Sequence, residues 1–415
     1  MKTLVRQAKI IDPNSRRNGE LADILFENNQ IVSIGQDLTD DSAEIIEGED
    51  LRISPGWVDI HAQFNDPGYE FKEDLKSGAA AASKGGFCTV AVSPETLPVI
   101  DSKADVEYIN KKSLGLGVKI VPIGAATPKL KGVDFTEMFD MYSSGATCFS
   151  NGQKSFSDAE LTRRILLYAK QFGGKVMEVA NDESLSNGAM IHEGEVSTKL
   201  GLKGVPSLAE ELIVFRDIAV AQYCDAPIHF HKISTEKSVE LIRNAKEQGI
   251  KVSCDVALSN LIWTEKELLS FDTNFKVTPP LRTEDDRSAL ITSLNDGTID
   301  FLVTGHMPQN IEEKECEFEY AGYGQSIIEY AYPLYLKYLS NSLSEEKWVE
   351  KIALSPAKFI GIEPTTIEEN ETGSFTIFTH ANSTSSNHKN MVSRSKNFPE
   401  IQGEFQGKIM QIITE

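Results

Sequence analysis

His61 and Gln63 stand two residues apart at the end of a short apolar run, Trp57-Val58-Asp59-Ile60, set between Pro55-Gly56 and Pro67-Gly68. Such a run reads as one buried parallel strand emptying into a loop. If His61 and Gln63 continue that strand, a period of two puts both on one side, where they could converge on one ion or substrate. Imidazole is the commonest metal ligand and a neutral Gln amide is a poor one for zinc, so the pair supplies half of a metal site. His229-Phe230-His231 repeats the spacing with two imidazoles. Hydrolysis at a metal needs about three protein ligands and a base that takes a proton from the attacking water.

The elements that must position these groups alternate between strand and helix from residue 53 to 362. Strand-like runs recur at Thr89–Val92, Val118–Ile123, Ala146–Phe149, Lys175–Val179, Pro227–Phe230, Lys251–Val256 and Asp300–Thr304, and the opening strand makes eight. Helical patterns fill the gaps, as at Ser207–Val220 and Thr235–Gln248, the latter with apolar Val239, Leu241, Ile242 and Ala245 and a stop at Gly249. Eight such units predict an α/β chain built on a (β/α)₈ TIM barrel, with its reactive groups at the C-terminal strand ends. Residues 1–52 alternate in shorter pieces (Thr3–Arg6, Ala22–Phe26, Gln30–Ile34, Ala43–Ile46), and residues 363–415 do the same at Gly373–Phe378 and Gly407–Ile413, around a Ser/Asn-rich loop at Asn382–Asn387. The two termini are expected to complete one small β-sandwich domain.

Composition narrows the class. The chain has 415 residues and a formal net charge of -21, which leaves no basic footprint for nucleic acid. No apolar run approaches the roughly 18 to 20 residues of a membrane span, and the N-terminus leads into a strand, so a cytoplasmic protein away from membranes is expected. Five scattered cysteines without a Cys-x-x-Cys indicate neither a disulfide framework nor a zinc ribbon. The acidic run Glu312–Glu317 reads as a solvated loop.

The stretch Ser54 to Gly68 resembles the signature of dihydroorotases in the amidohydrolase superfamily, Pro-Gly-x-Val-Asp-x-His-x-His-x-Arg-Glu-Pro-Gly. Further similar stretches are Lys72–Gly78, Leu200–Pro206, Ala209–Glu211, Pro279–Arg282 and Asp296–Asp300, so the resemblance runs from about residue 53 to 360. It implies the metallo-dependent hydrolase type of barrel, zinc, and a place in pyrimidine biosynthesis. It also implies which positions carry the chemistry, and this chain departs at most of them. His61 is kept. The second His is Gln63, the substrate-binding Arg is Asn65 and the following Glu is Asp66. The bridging Asp is Asn151, a His ligand is Val179, and a substrate Asn is Glu95. In the family text His-x-x-His-x-Ser, Ser234 sets the phase and puts Lys232 at the ligand position; alternation then turns Phe230 and Lys232 inward and His229 and His231 toward the helices. The general-base Asp is Gly305, and Thr278 and Gln309 replace an Asn and a His.

With only His61 left of the ligands, no cofactor is expected, and an ammonium at Lys232 would repel a cation. The expectation is a dihydroorotase-like chain that no longer catalyses and serves as a structural partner of aspartate carbamoyltransferase, the partner the resemblance implies. Two other readings are an active cyclic amidohydrolase with a rearranged site recruiting His306 or Asp59, and a homo-oligomeric scaffold.

Overall fold

Short β-branched and aromatic runs bounded by Gly and Pro become the strands of a parallel barrel in this computed structural model, which describes residues 2–385, 390–401 and 403–414. The N-terminal strands are β1 (Lys2–Ile10), β2 (Leu21–Glu27), β3 (Gln30–Gly35), β4 (Glu44–Ile46) and β5 (Leu51–Pro55). The barrel begins with β6 (Trp57–Ala62), β7 (Phe87–Val92) and β8 (Lys119–Pro122), the last continued by β9 (Gly124–Ala125). It goes on through β10 (Cys148–Ser150) and β11 (Lys175–Glu178). A minor pair, β12 (Ile191–His192) and β13 (Gly204–Val205), precedes β14 (Ile228–Phe230), β15 (Val252–Ala257) and β16 (Phe301–Val303). Barrel neighbours pair in parallel, and the Gln63 amide donates to the His306 carbonyl at 2.9 Å where the last strand meets the first. A helix follows each strand, as the right-handed crossover between parallel strands requires.

Alternation sorts the strand residues into two cores. Val58, Ile60, Val121, Met177 and Phe301 fill the barrel, whereas Trp57, Phe87, Phe230 and Leu302 pack against the helices. Trp57 anchors the outer layer, with ring centroids 5.5 Å from Phe378, 5.6 Å from Tyr332 and 5.9 Å from both Phe87 and Trp348. The helix Glu236–Glu247 starts where the Thr235 side chain accepts from the Ser238 amide, buries Val239, Ile242 and Ala245, and ends before Gly249 at φ +74.

β17 (Phe375–Ser385) and β18 (Glu404–Ile413) complete the terminal sheet in the order β18-β17-β5-β1-β2-β3, with β4 beside β1. Antiparallel pairing of β17 with β5 joins the two ends of the chain over a core of Val5, Ile24, Phe26, Ile53, Phe375 and Ile377. Asn382 to Ser385 continue β17, although their composition reads as a loop, because β18 supplies a partner ladder; Ser386 and Asn387 lie outside the described residues. Among the described residues no helix is long and apolar enough to cross a membrane.

Candidate functional site

The C-terminal strand ends open on a cavity of about 770 Å³, lined among others by Glu95, Gln153, Val179, Lys232, Thr278 and Tyr323. Lys232 is at its floor. Its ladder ends at Phe230, and Lys232 itself takes φ +56, an uncommon conformation for a non-glycine residue that is held by its amide donating to Asp255 Oδ1 at 2.8 Å. The ammonium donates to Gln153 Oε1 at 2.7 Å and to the Thr278 carbonyl at 3.0 Å. Burial pulls the Lys232 pKa down to about 8, with Glu95 and Asp255 opposing.

The two histidines beside it differ from the alternation argument. His229 stacks on Phe301 inside the barrel, with centroids 5.1 Å apart, and the His231 ring lies 4.3 Å from that of His61. It is Phe230 that belongs to the outer core, which also holds the helix residues Val239 and Ile242. Alternation itself holds, with His229 and His231 inward and Phe230 outward; the phase counted back from Lys232 is off by one, because the left-handed turn at Lys232 brings that residue to the cavity directly after His231. Lys232 therefore meets Gln153 and Thr278, and not His61, Gln63, Asn151 or Asp59.

Asp255, on β15, organises this centre. One oxygen, Oδ2, receives His229 Nε2 at 2.8 Å and His231 Nδ1 at 2.7 Å, while His229 Nδ1 pairs with the Ser253 hydroxyl at 2.8 Å. Burial pushes the Asp255 carboxyl up, but the His231 and His229 imidazoles outweigh it and hold the group well below the usual carboxylate range. Burial pushes the His61 imidazole well below its ordinary pKa and lowers that of His231 against the opposing pull of Asp255. Both leave a buried Nε2 without a hydrogen-bond partner. The expectation of a chain without a cofactor is corrected here: His229, His231 and Asp255 each offer a ligand atom within 4.8 Å of the others. A carboxylate orienting an imidazole whose second nitrogen is free is the support that metal-ligating histidines use; His231 fits that pattern, whereas His229 would have to give up Ser253 or Asp255 to bind an ion. All three are fully buried and do not line the cavity; Lys232 does.

The remaining family positions scatter. Gln63 donates to Glu95 Oε2 at 2.7 Å. Asn65 sits at φ +59 with its amide nitrogen unpartnered, and Asp66 turns away to pair with Lys112 at 2.7 Å. Asn151 accepts from the Thr127 hydroxyl. Gln309 accepts from Lys72 at 2.8 Å and donates to the Tyr323 carbonyl at 2.7 Å. Gly305, at φ +70, offers no proton acceptor. Asp59 is buried against the Thr304 hydroxyl, and burial raises its pKa to about 6; the His306 Nε2 lies 3.8 Å from Glu73. The run from Glu312 is partly helical, Ile311–Lys314, and Lys314 is buried with its ammonium on the Thr273 and Gly322 carbonyls at 2.8 and 2.7 Å. Two participants escaped the sequence reading. Gln153 carried no signal, whereas Asp255, a lone carboxylate inside the apolar run Val252–Ala257, did.

Residues 51–238 match the family model described as dihydro-orotase-like. The chain is 40% identical over 377 residues to a dihydroorotase of Acetivibrio thermocellus, covering 90% of this chain and 88% of the relative. It is 38% identical over 410 residues to a dihydroorotase of Geobacter metallireducens, covering 98% and 96%. Among solved structures, the L-hydantoinase (dihydropyrimidinase) of Arthrobacter aurescens superposes with a TM-score of 0.83 at 21% identity over 98% of this chain and 93% of that one. Dihydropyrimidinase of Brevibacillus agri gives 0.82 at 19% identity over 100% and 94%. At these identities the structural likeness speaks for the fold, while the sequence identities speak for kinship. The chain belongs to the dihydroorotase family.

Proposed function

We propose that this dihydroorotase-family chain does not hydrolyse a cyclic amide and serves as a structural partner of aspartate carbamoyltransferase. One observation carries the reading: the imidazoles and carboxylate suited to a metal are buried and do not line the barrel-mouth cavity, whereas the Lys232 ammonium does. Gly305 adds to it, since no side chain there can take a proton from water. A metal held by His229, His231 and Asp255 in this setting has a structural role. When exposed to substrate, such an ion polarises a carbonyl and acidifies bound water; that requires an open coordination position facing the cavity.

The partner follows from the resemblance, and co-elution tests it. Mixed with the aspartate carbamoyltransferase of its own organism, the protein is expected to elute as one stoichiometric complex in size-exclusion chromatography. Separate elution at micromolar concentrations would remove that partner and favour a scaffold made of copies of this chain.

A second reading is favoured by the unpartnered Nε2 atoms of His61 and His231. If Lys232 moved aside, these nitrogens would present a rearranged metal site to the cavity, and the chain would be a cyclic amidohydrolase.

A further inference from the structure

The cavity at the barrel mouth holds two opposite charges that are kept apart. Glu95 and Lys232 both line it, and among the described residues neither forms an ion pair. Glu95 is surrounded by neutral donors. Its Oε2 accepts from Gln63 Nε2 at 2.7 Å, from the Ser93 hydroxyl at 3.2 Å and from Gln153 Nε2 at 3.4 Å, and its Oε1 accepts from the Gln153 amide at 3.1 Å. Lys232 is surrounded by neutral acceptors, the Gln153 and Thr278 oxygens, which use two of the three donors an ammonium has. Gln153 thus stands between the charges as a spacer, its carbonyl toward one and its amide toward the other.

This spacing is built. Gly152 lies at φ +68, and a Cβ there would meet Glu95 Cδ at 2.6 Å, so the 151–153 turn passes against the carboxylate only because it carries glycine. Lys232 is buried and Glu95 half-buried, so leaving both without a charge partner is costly, most of all at Lys232, and a ligand that brings the complementary charges relieves both.

We propose that the barrel mouth binds a small zwitterion of the amino-acid class, its carboxylate on Lys232 and its ammonium on Glu95. A dianion does not suit the cavity. The second buried cation on its wall, Arg282, is already spent on Ser234, His192 and the Val205 carbonyl, with Glu210 3.8 Å away, and Lys154 is exposed at the rim. A second carboxylate would face Glu95, and like charges at close range select against a ligand. The inference concerns binding, and it goes beyond the question of whether the chain turns over a cyclic amide.

The test is a thermal-shift screen of the standard α-amino acids, followed by calorimetric titration of the strongest binder and of its N-carbamoyl derivative, which differs in having lost the ammonium charge. Saturable binding is expected for the amino acid, about tenfold weaker binding for the N-carbamoyl form, and loss of that preference in Glu95→Gln. Lys232→Gln should weaken both ligands, with circular dichroism confirming that each variant is folded. Absence of binding by every amino acid, equal affinity for the N-carbamoyl form, or a preference unchanged in Glu95→Gln would each overturn the proposal.

Discussion

Asp255→Ala should lower the unfolding free energy by about 3 to 5 kcal/mol, the range for removing one partner of a buried ionic hydrogen-bonded group. The substitution strands three buried donors at once: His229 Nε2–H, His231 Nδ1–H and the Lys232 amide. It also releases the left-handed backbone at Lys232, which that amide bond holds. The pH dependence has a definite sign. The folded-state pKa of Asp255 lies below its unfolded value, so its contribution is fully present above an unfolded pKa of about 3.9 and is lost as pH falls toward the depressed folded value. Denaturant titrations of both proteins should therefore differ most near neutrality and converge in acid below pH of about 4. A difference under about 1 kcal/mol at pH 7 would mean that the carboxylate does not organise the centre.

Lys232→Met should be more stable than the natural chain at pH 7. Holding a lysine at a pKa of about 8, against about 10.4 in the unfolded chain, implies a burial penalty on the order of 3 kcal/mol. Methionine removes that penalty but leaves Gln153 Oε1 and the Thr278 carbonyl without a donor, each costing about 1 kcal/mol. The net gain is then about 1 kcal/mol. Between pH 8 and about 10.4 the unfolded natural chain binds more protons than the folded one, so its stability rises with pH and the advantage of methionine closes. A variant less stable at every pH would show that the ammonium is a stabilising part of the floor. A stability gain from deleting this lysine would be the mark of a residue kept for binding.

The barrel was legible in the sequence because each of its strands is a short run of β-branched or apolar residues closed by turn residues, and because caps such as Thr235 and stops such as Gly249 mark the helices between them. The terminal sheet was legible from alternation, except where β17 runs on through Asn382–Ser385; polar residues join a ladder once a partner strand is present, and that partner, β18, is remote in sequence. The site was legible in part. Local text located Lys232 and Glu95 at strand ends, but counting alternation back from Lys232 put Phe230 inward, because nothing local shows that the chain leaves extended geometry at Lys232, where φ is +56. The tie between His231 and Asp255 joins neighbouring strands separated by a whole helix, so no local pattern announces it. The set that could hold a metal ion, His229, His231 and Asp255, was set aside because alternation counted from Lys232 turned both histidines toward the helices, and Asp255 lies on the next strand.

Turnover of dihydroorotate and of N-carbamoyl-L-aspartate by the purified protein, assayed in both directions with zinc in excess, decides whether this barrel is catalytic. No rate above background is expected in either direction, because Gly305 supplies no base and the buried His229, His231 and Asp255 do not line the cavity, where Lys232 does. Turnover that disappears in His61→Ala would contradict that expectation, and would identify the His61 and His231 nitrogens as a working, rearranged metal centre.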